Sequence, residues 1–393
     1  MINIPKKIMF AISDTGGGHR SAAAAIIAAI DSEYRAQCFI VDLLRATGFP
    51  GLKQAPEIYD YCSINHIWLN NLFFRKTNSL TRINALTRMI YFQCRQHLEQ
   101  ELETIQPDMV VAVHPLVIGL LRMIRKNSNA TWPIITVVTD LVTLHASWAT
   151  PGADLYLVPT QEAFHSLVKY GVPSNRIIHT GFPIHPKFTG NQVVRSEARA
   201  ELNIELDRFT VLITGGGVGA GNMREWINTL EQECSDKQIL VITGNNKQLY
   251  TELMNSKNMS DRLHVYGFVS NMETMMSASD VIISKAGPGT IMEGITIKRP
   301  LIITEAVGIQ ETGNIGYTIQ RRLGYYCPVP KAACKIINEI ATKARDIDKI
   351  YHHEEIVTNG SMRIADIILD QLAGIQSMKN PPKEEPCTIF RGA

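Results

Sequence analysis

Phe209-Thr-Val-Leu-Ile-Thr-Gly-Gly-Gly-Val-Gly-Ala-Gly221 is an apolar run that breaks into a glycine triplet. The same grammar opens the chain at Lys7-Ile-Met-Phe-Ala-Ile-Ser-Asp-Thr-Gly-Gly-Gly-His19. In each case a short buried strand is followed by a turn that only glycine makes freely, then by a small-residue helix. Glycine lets the backbone approach a ligand, and a helix N-terminus presents unpaired N–H groups to negative charge. The repeat predicts two nucleotide-binding α/β domains facing one another, one with Gly17 and Gly18 at its turn, the other with Gly216 and Gly217.

The remainder fits that frame. At 393 residues the chain is long for one core and ample for two. Short apolar runs recur near 8–12, 38–42, 109–113, 134–138, 155–158 and 177–180, and again near 209–213, 239–243, 263–266, 281–284 and 300–304, with helical material between them. Continuous apolar strands alternating with helices predict parallel sheets covered on both faces. Pro183 and Pro186 mark a linker at Gly181 to Gly190. The expected units are therefore 1–183, 184–350, a helix in 351–375 that folds back on the first domain, and a flexible tail at 376–393.

Composition is 45% hydrophobic and 19% charged with a net charge of +2, which gives no reason to expect nucleic acid as a partner. Seven scattered cysteines, odd in number and without a Cys-x-x-Cys pair, predict a reducing compartment and no structural zinc. No apolar run reaches the length of a spanning helix; Met109 to Leu121 is interrupted by His114 and Pro115. One segment stands apart. From Tyr61 to Leu98 there is no acidic residue, while Arg75, Lys76, Arg82, Arg88 and Arg95 alternate with Trp68, Phe73, Phe74, Tyr91 and Phe92. That is the composition of an element lying on an anionic membrane surface, and also that of an amphipathic helix packed on its own domain.

Three motifs carry chemistry. Ser284-Lys-Ala-Gly-Pro-Gly-Thr-Ile-Met-Glu293 follows a strand. Gly287, Pro288 and Gly289 shape a loop suited to a diphosphate, with Thr290 at an N-cap and Glu293 one turn on, able to accept both hydroxyls of a ribose. Thr290 and Glu293 also form a capping box that needs no ligand, but a cap does not explain the two glycines and the proline. Gly308-Ile-Gln-Glu-Thr-Gly-Asn314 offers Gln310, Glu311 and Asn314 to sugar hydroxyls, or simply to solvent. His19 is a candidate general base, its ordinary pKa lying near working pH, or a residue that packs the first helical turn. Asp14 and Asp140, at strand ends, are candidates to orient a base or touch an acceptor. Asp42 stands where a dinucleotide-binding fold places its ribose acid, which keeps a nicotinamide reading as a minor alternative.

In order along the chain, Asp14-Thr-Gly-Gly-Gly-His-Arg20, Val113-His-Pro-Leu116, Gly181-Phe-Pro-Ile184, Tyr266-Gly-Phe-Val269, Ser284 to Ile291 and Gly308 to Asn314 resemble monogalactosyldiacylglycerol synthases and the bacterial processive diacylglycerol glucosyltransferases. The resemblance runs from about Lys7 to about Ala373. It implies a GT-B fold and an inverting transfer of galactose or glucose from a UDP-sugar to diacylglycerol, without a metal or other cofactor. It implies His19 as base, Gly287 to Thr290 at the diphosphate, Glu293 at the ribose, Gly267 and Phe268 by the uracil, and Gln310, Glu311 and Asn314 at the sugar. His114 joins Asp14 and Asp140 on the acceptor side. Trp68, Phe73, Phe74, Arg75 and Arg82 become the membrane-docking surface of a protein expected to be cytoplasmic and peripheral to an anionic membrane. Departures include Val218 after the second triplet and His145-Ala-Ser-Trp148 in place of His-Pro-Thr-Trp. Rival readings are transfer to another lipid or soluble acceptor, a UDP-sugar epimerase of the same fold, and a binding protein that retains the donor loop.

Overall fold

The computed structural model describes residues 5–31, 36–190, 193–256, 260–343 and 356–379. The first domain runs β1 (Lys7–Ile12), α1 (Gly18–Asp31), β2 (Gln37–Asp42), α2 (Leu43–Ala46), α3 (Pro50–Lys53), α4 (Ala55–Asn65), α5 (Ile67–Thr77), α6 (Leu80–Ile105), β3 (Met109–Ala112), α7 (Val117–Asn127), β4 (Ile134–Val137), β5 (Leu155–Val158), α8 (Gln161–Lys169) and β6 (Ile177–His179). The second runs α9 (Arg195–Glu201), β7 (Thr210–Thr214), α10 (Met223–Glu233), β8 (Gln238–Ile242), α11 (Lys247–Met254), β9 (Leu263–Tyr266), α12 (Met272–Ala278), β10 (Val281–Ser284), α13 (Pro288–Thr296), β11 (Leu301–Ile303), α14 (Ile309–Gln320), β12 (Gly324–Tyr326) and α15 (Pro330–Ala341), and α16 (Gly360–Lys379) follows.

Each domain holds a six-stranded parallel sheet, ordered β2-β1-β3-β4-β5-β6 and β12-β11-β10-β7-β8-β9. This is the two-domain GT-B arrangement. The edge strand β12 is absent from the sequence reading; Gly-Tyr-Tyr lacks the aliphatic run that marks the other strands. Strand order reverses between β1 and β3 in the first sheet and between β7 and β10 in the second. In open parallel sheets the crevice at such a reversal, beyond the strands' carboxyl ends, is where ligands bind. The loops at these reversals are the two glycine triplets, the loop at His114 and the loop at Gly287.

A helix at Gly360–Lys379 makes the return, and residues 351–355 of the expected span lie outside the described residues. The helix therefore takes in residues 376–379, which had been assigned to a flexible tail; the tail beyond them lies outside the described residues. Ile364, Ala365, Ile368 and Leu372 are buried against Ala22, Ile26 and Ile30 of α1. Burial of each large aliphatic contributes about 1.5–3 kcal/mol, enough to hold the crossing in place. Where the crossing passes the linker, Gly181 has φ +87° and the methine of Val357 occupies the place of its missing side chain.

The segment 61–98 is three helices. On α6 the stripe Ile83, Thr87, Tyr91, Cys94, Leu98, Leu102 and Ile105 is buried at helical spacing against the first domain. Tyr91 is core, its hydroxyl donating to Glu99 at 2.8 Å, and not a surface aromatic. α5 buries no residue at all. Trp68, Leu69, Leu72 and Phe73 on it, with Ile58, Tyr61 and Ile64 on α4, form an exposed apolar patch. No helix among the described residues is long and apolar enough to cross a membrane.

Candidate active site

The two reversals meet across the cleft. The second triplet faces the first closely enough that a Cβ on Gly217 would lie 3.4 Å from the carbonyl oxygen of Gly16. Gly17, Gly18 and Gly289 face open space, while Gly16, Gly17 and Gly216 hold φ between +72° and +76°, a conformation that strains other residues.

On the first domain, His19 lies in the opening turn of α1, with Nδ1–H donating to the carbonyl of Val113 at 2.8 Å across the reversal. Thr139 Oγ1 is 3.1 Å from the same nitrogen. That hydrogen bond fixes the tautomer and leaves Nε2 as a free acceptor. Burial draws the imidazole down to about pKa 4, opposed by the Val113 carbonyl and by Asp14, so the ring is neutral near pH 7. His114 sits edge-on to it, ring centroids 4.6 Å apart. Its Nδ1 accepts from the N–H of Leu116 and its Nε2 contacts Thr15 Oγ1, and burial beside His19 holds it well below the usual histidine value. Neither aspartate orients His19. Asp14 is engaged twice by Arg20, at 2.6 and 2.8 Å, and Asp140 accepts from Trp148 Nε1 at 2.6 Å. Burial pushes Asp140 up to about 7, the Trp148 hydrogen bond opposing and nearby Glu311 adding. Asp42 is consumed locally, accepting from the N–H groups of Asp14 and Arg45 and capping α2.

On the second domain, the N-cap of α13 is Gly287, with Pro288 at the first helical position and no side-chain cap. Thr290 is thus inside the helix, which corrects its N-cap assignment and removes the capping box. The carboxyl of Glu293, partly buried, has no hydrogen-bond partner among the described residues. Burial raises its carboxyl to about 7, with Lys187 opposing and Glu273 adding. Gly267 and Phe268 follow β9, and Phe268 is exposed.

The polar residues of α14 are not idle. Glu311 is buried, paired with Lys285, and accepts the N–H of Val307 at 2.9 Å. Asn314 donates to the carbonyl of Ala286 at 2.8 Å, leaving its Oδ1 buried and unpartnered. Gln310 donates to the Tyr59 hydroxyl at 3.0 Å. Lys285 escaped the sequence reading because a lysine after a strand is ordinarily surface charge. Here it is held between the glycine loops: its terminal atoms are 3.3 Å from a Cβ on Gly216 and 3.0 Å from one on Gly287. Tyr59 was also missed, since nothing local in sequence marks it, and Trp148 was noted only as part of a motif, without its bond to Asp140.

Within 61–98 the assignments divide. Trp68, Phe73, Arg75 and Arg82 are exposed. Phe74 is half-buried and turns inward: its ring packs edge-on against His145 at 4.9 Å, and Thr77 bonds the same imidazole at 3.1 Å. A surface cavity of about 880 Å³ lies at the amino ends of the strands of the second sheet, lined by Arg199 and Asp280 among others. Those two charges are paired with one another at 2.6 Å, and the glycine loops lie elsewhere.

Comparison with known proteins agrees with this geometry. Residues 19–184 match the family model "Monogalactosyldiacylglycerol (MGDG) synthase", and residues 210–304 match "Glycosyltransferase family 28 C-terminal domain". The chain is 30% identical over 357 residues to monogalactosyldiacylglycerol synthase 2, chloroplastic, of Arabidopsis thaliana, covering 88% of this chain and 76% of that one. It is 33% identical over 349 residues to a probable chloroplastic monogalactosyldiacylglycerol synthase of Glycine max, covering 85% and 65% respectively. Against relatives such as the latter, the chain spans just under two thirds of their length. Among solved structures it resembles S. aureus MnaA with UDP (TM-score 0.58, 16% identity, 97% and 99% covered) and the glycotransferase of kitacinnamycin (TM-score 0.62, 13% identity, 93% and 99% covered). At such identities these structures speak for the fold alone.

Proposed function

Since the chain belongs to the monogalactosyldiacylglycerol synthase family, we propose that it moves galactose from UDP-galactose to the free hydroxyl of diacylglycerol at a membrane surface. The observation that carries this reading is the juxtaposition of a tautomer-fixed His19 on one reversal with the cation-bearing loop of Lys285 and Gly287 on the other.

In this reading the acceptor hydroxyl oxygen attacks the anomeric carbon of galactose while Nε2 of His19 takes the proton. The bond from that carbon to the phosphate oxygen breaks with its electron pair, and UDP departs from the opposite face, which inverts the anomeric centre. The Val113 carbonyl stabilises the imidazolium that forms, as a partner on Nδ1 should. Positioned base catalysis of this kind contributes about 10²–10⁴-fold. Charge developing on the leaving diphosphate meets the N-terminal N–H groups of α13 and the ammonium of Lys285, both fixed before reaction begins. Glu293 is free to accept the ribose hydroxyls. The apolar patch on α4 and α5, flanked by Arg75 and Lys76, brings the site to the lipid. Transfer to a soluble acceptor leaves that patch without a purpose, and an epimerase needs neither it nor a second substrate.

Transfer of label from UDP-galactose and from UDP-glucose into diacylglycerol held in anionic vesicles tests the proposal. Galactose label in the lipid phase is expected. Label from glucose alone, or from neither donor, overturns it.

A further inference from the structure

The N-terminus of α14 carries the candidate sugar-binding residues, yet it lacks a cap of its own. Its N-cap is Gly308, at φ +98°, with no side chain to satisfy the first helical N–H groups. The missing acceptor is supplied from 238 positions earlier in the chain: Asn71 Oδ1 accepts the N–H of Ile309 at 3.0 Å. Beside it the Tyr59 hydroxyl accepts from Gln310 Nε2 at 3.0 Å. Both residues stand on the inner side of α4 and α5, whose outer side is the exposed apolar patch.

These helices form one stiff piece. Asn70 donates to Ser63 Oγ at 3.0 Å and to the Tyr59 carbonyl at 3.4 Å, tying α5 to α4. Asp60, next to Tyr59, accepts the N–H of Gly16 at 3.2 Å, and the Tyr59 ring lies 3.3 Å from where a Cβ on Gly16 would stand. The Tyr59 phenol is held well above its usual pKa, chiefly by burial and then by the charge of Glu311, so it stays protonated. A displacement of the patch therefore moves Tyr59 and Asn71, and with them the acceptors on which the start of α14 depends.

We propose that Tyr59 and Asn71 are positioning residues for the donor-sugar end of α14, delivered by the same two helices that seat the apolar patch on lipid, so that lipid seating and sugar binding reinforce one another. This rests on the function proposed above. It differs from a merely structural contact in a measurable way, because coupling between two sites is reciprocal. Vesicles should tighten UDP-galactose binding, and UDP-galactose should tighten vesicle binding by the same factor. UDP, lacking the sugar that α14 would meet, should show little of either effect.

The experiment is titration of the full chain with UDP-galactose and with UDP, in the presence and absence of vesicles of phosphatidylcholine and phosphatidylserine. The wild-type protein is expected to bind UDP-galactose about fivefold more tightly or better on vesicles, the lower end of measured couplings. In Tyr59→Phe with Asn71→Ala that factor should fall to near one, while UDP binding and vesicle binding persist. Tyr59→Phe alone, which keeps the ring packed on Gly16, should lose part of it, raising KM for UDP-galactose on vesicles while vesicle binding measured without donor stays unchanged. A wild-type factor of one, or a double variant that keeps the full factor, overturns the inference and leaves the proposed reaction standing. Failure of UDP-galactose to bind under either condition overturns the reaction itself.

Discussion

Glu293 offers a prediction whose size follows from its surroundings. Its carboxyl, raised to about 7 by burial, has no hydrogen-bond partner among the described residues. Ribose hydroxyls would donate to the ionised form and so lower its pKa in the complex. The complex then binds fewer protons than the free protein, and affinity rises with pH through the free value. At pH 6 about nine tenths of the free carboxyl is protonated, so binding UDP-galactose should release close to one proton and be about tenfold weaker than at pH 8, or about 1.4 kcal/mol. Calorimetry at pH 6 in two buffers of different ionisation enthalpy measures that proton directly. UDP-galactose is the right ligand because its diphosphate, esterified at both ends, does not itself titrate in this range. Glu293→Gln should weaken binding and flatten the pH dependence. Asp140 titrates in the same window but is held by Trp148, so it should contribute equally to both proteins. A slope as steep in Glu293→Gln as in the wild type, or a wild-type affinity flat from pH 6 to 8, refutes the assignment of Glu293 to the ribose.

Two further outcomes concern the reaction and the scaffold. His19→Ala should lower kcat by about 10²–10⁴-fold with UDP-galactose affinity unchanged; steady-state kinetics beside calorimetry decide it, and an undiminished kcat removes His19 as base. Gly219→Ala places a Cβ 2.0 Å from the carbonyl oxygen of Thr243 at φ +68°, a backbone clash that no side-chain rotation relieves. It should cost about 1–3 kcal/mol, the usual range for overpacking, read as a lower urea midpoint; an unchanged midpoint would mean that the second glycine loop yields more readily than its packing indicates.

Fold class was legible because its signals are local. Eleven strands announced themselves as short apolar runs, and each glycine triplet wrote its turn into consecutive residues; β12 did not, because Gly-Tyr-Tyr holds no aliphatic run. The same locality misled at Thr290, where the Thr-x-x-Glu pattern suggested a cap. Proline at the first helical position had already moved the helix start to Gly287. The segment 61–98 was recognisable as unusual by its lack of acids, but composition could not say which aromatics face out. Burial turns Tyr91 into core and sets Phe74 on His145, while leaving Trp68 and Phe73 on the surface.

What sequence alone determined, then, is what adjacent residues can encode: strands, glycine turns, helix starts, and the list of candidate groups. What only tertiary structure decided is which of those groups are spoken for. Asp14, Asp42 and Glu311 look alike as acids in a string, yet Arg20, the start of α2 and Lys285 respectively claim them, whereas no described residue bonds the carboxyl of Glu293. His19 gains its tautomer from a carbonyl on a different strand, and α14 its cap from a different domain. The physical reason is common to all of these. A hydrogen bond or ion pair is set by distance in space, and strand order, which brings β1 beside β3 and β7 beside β10, is a property of the folded chain that no short stretch of it contains.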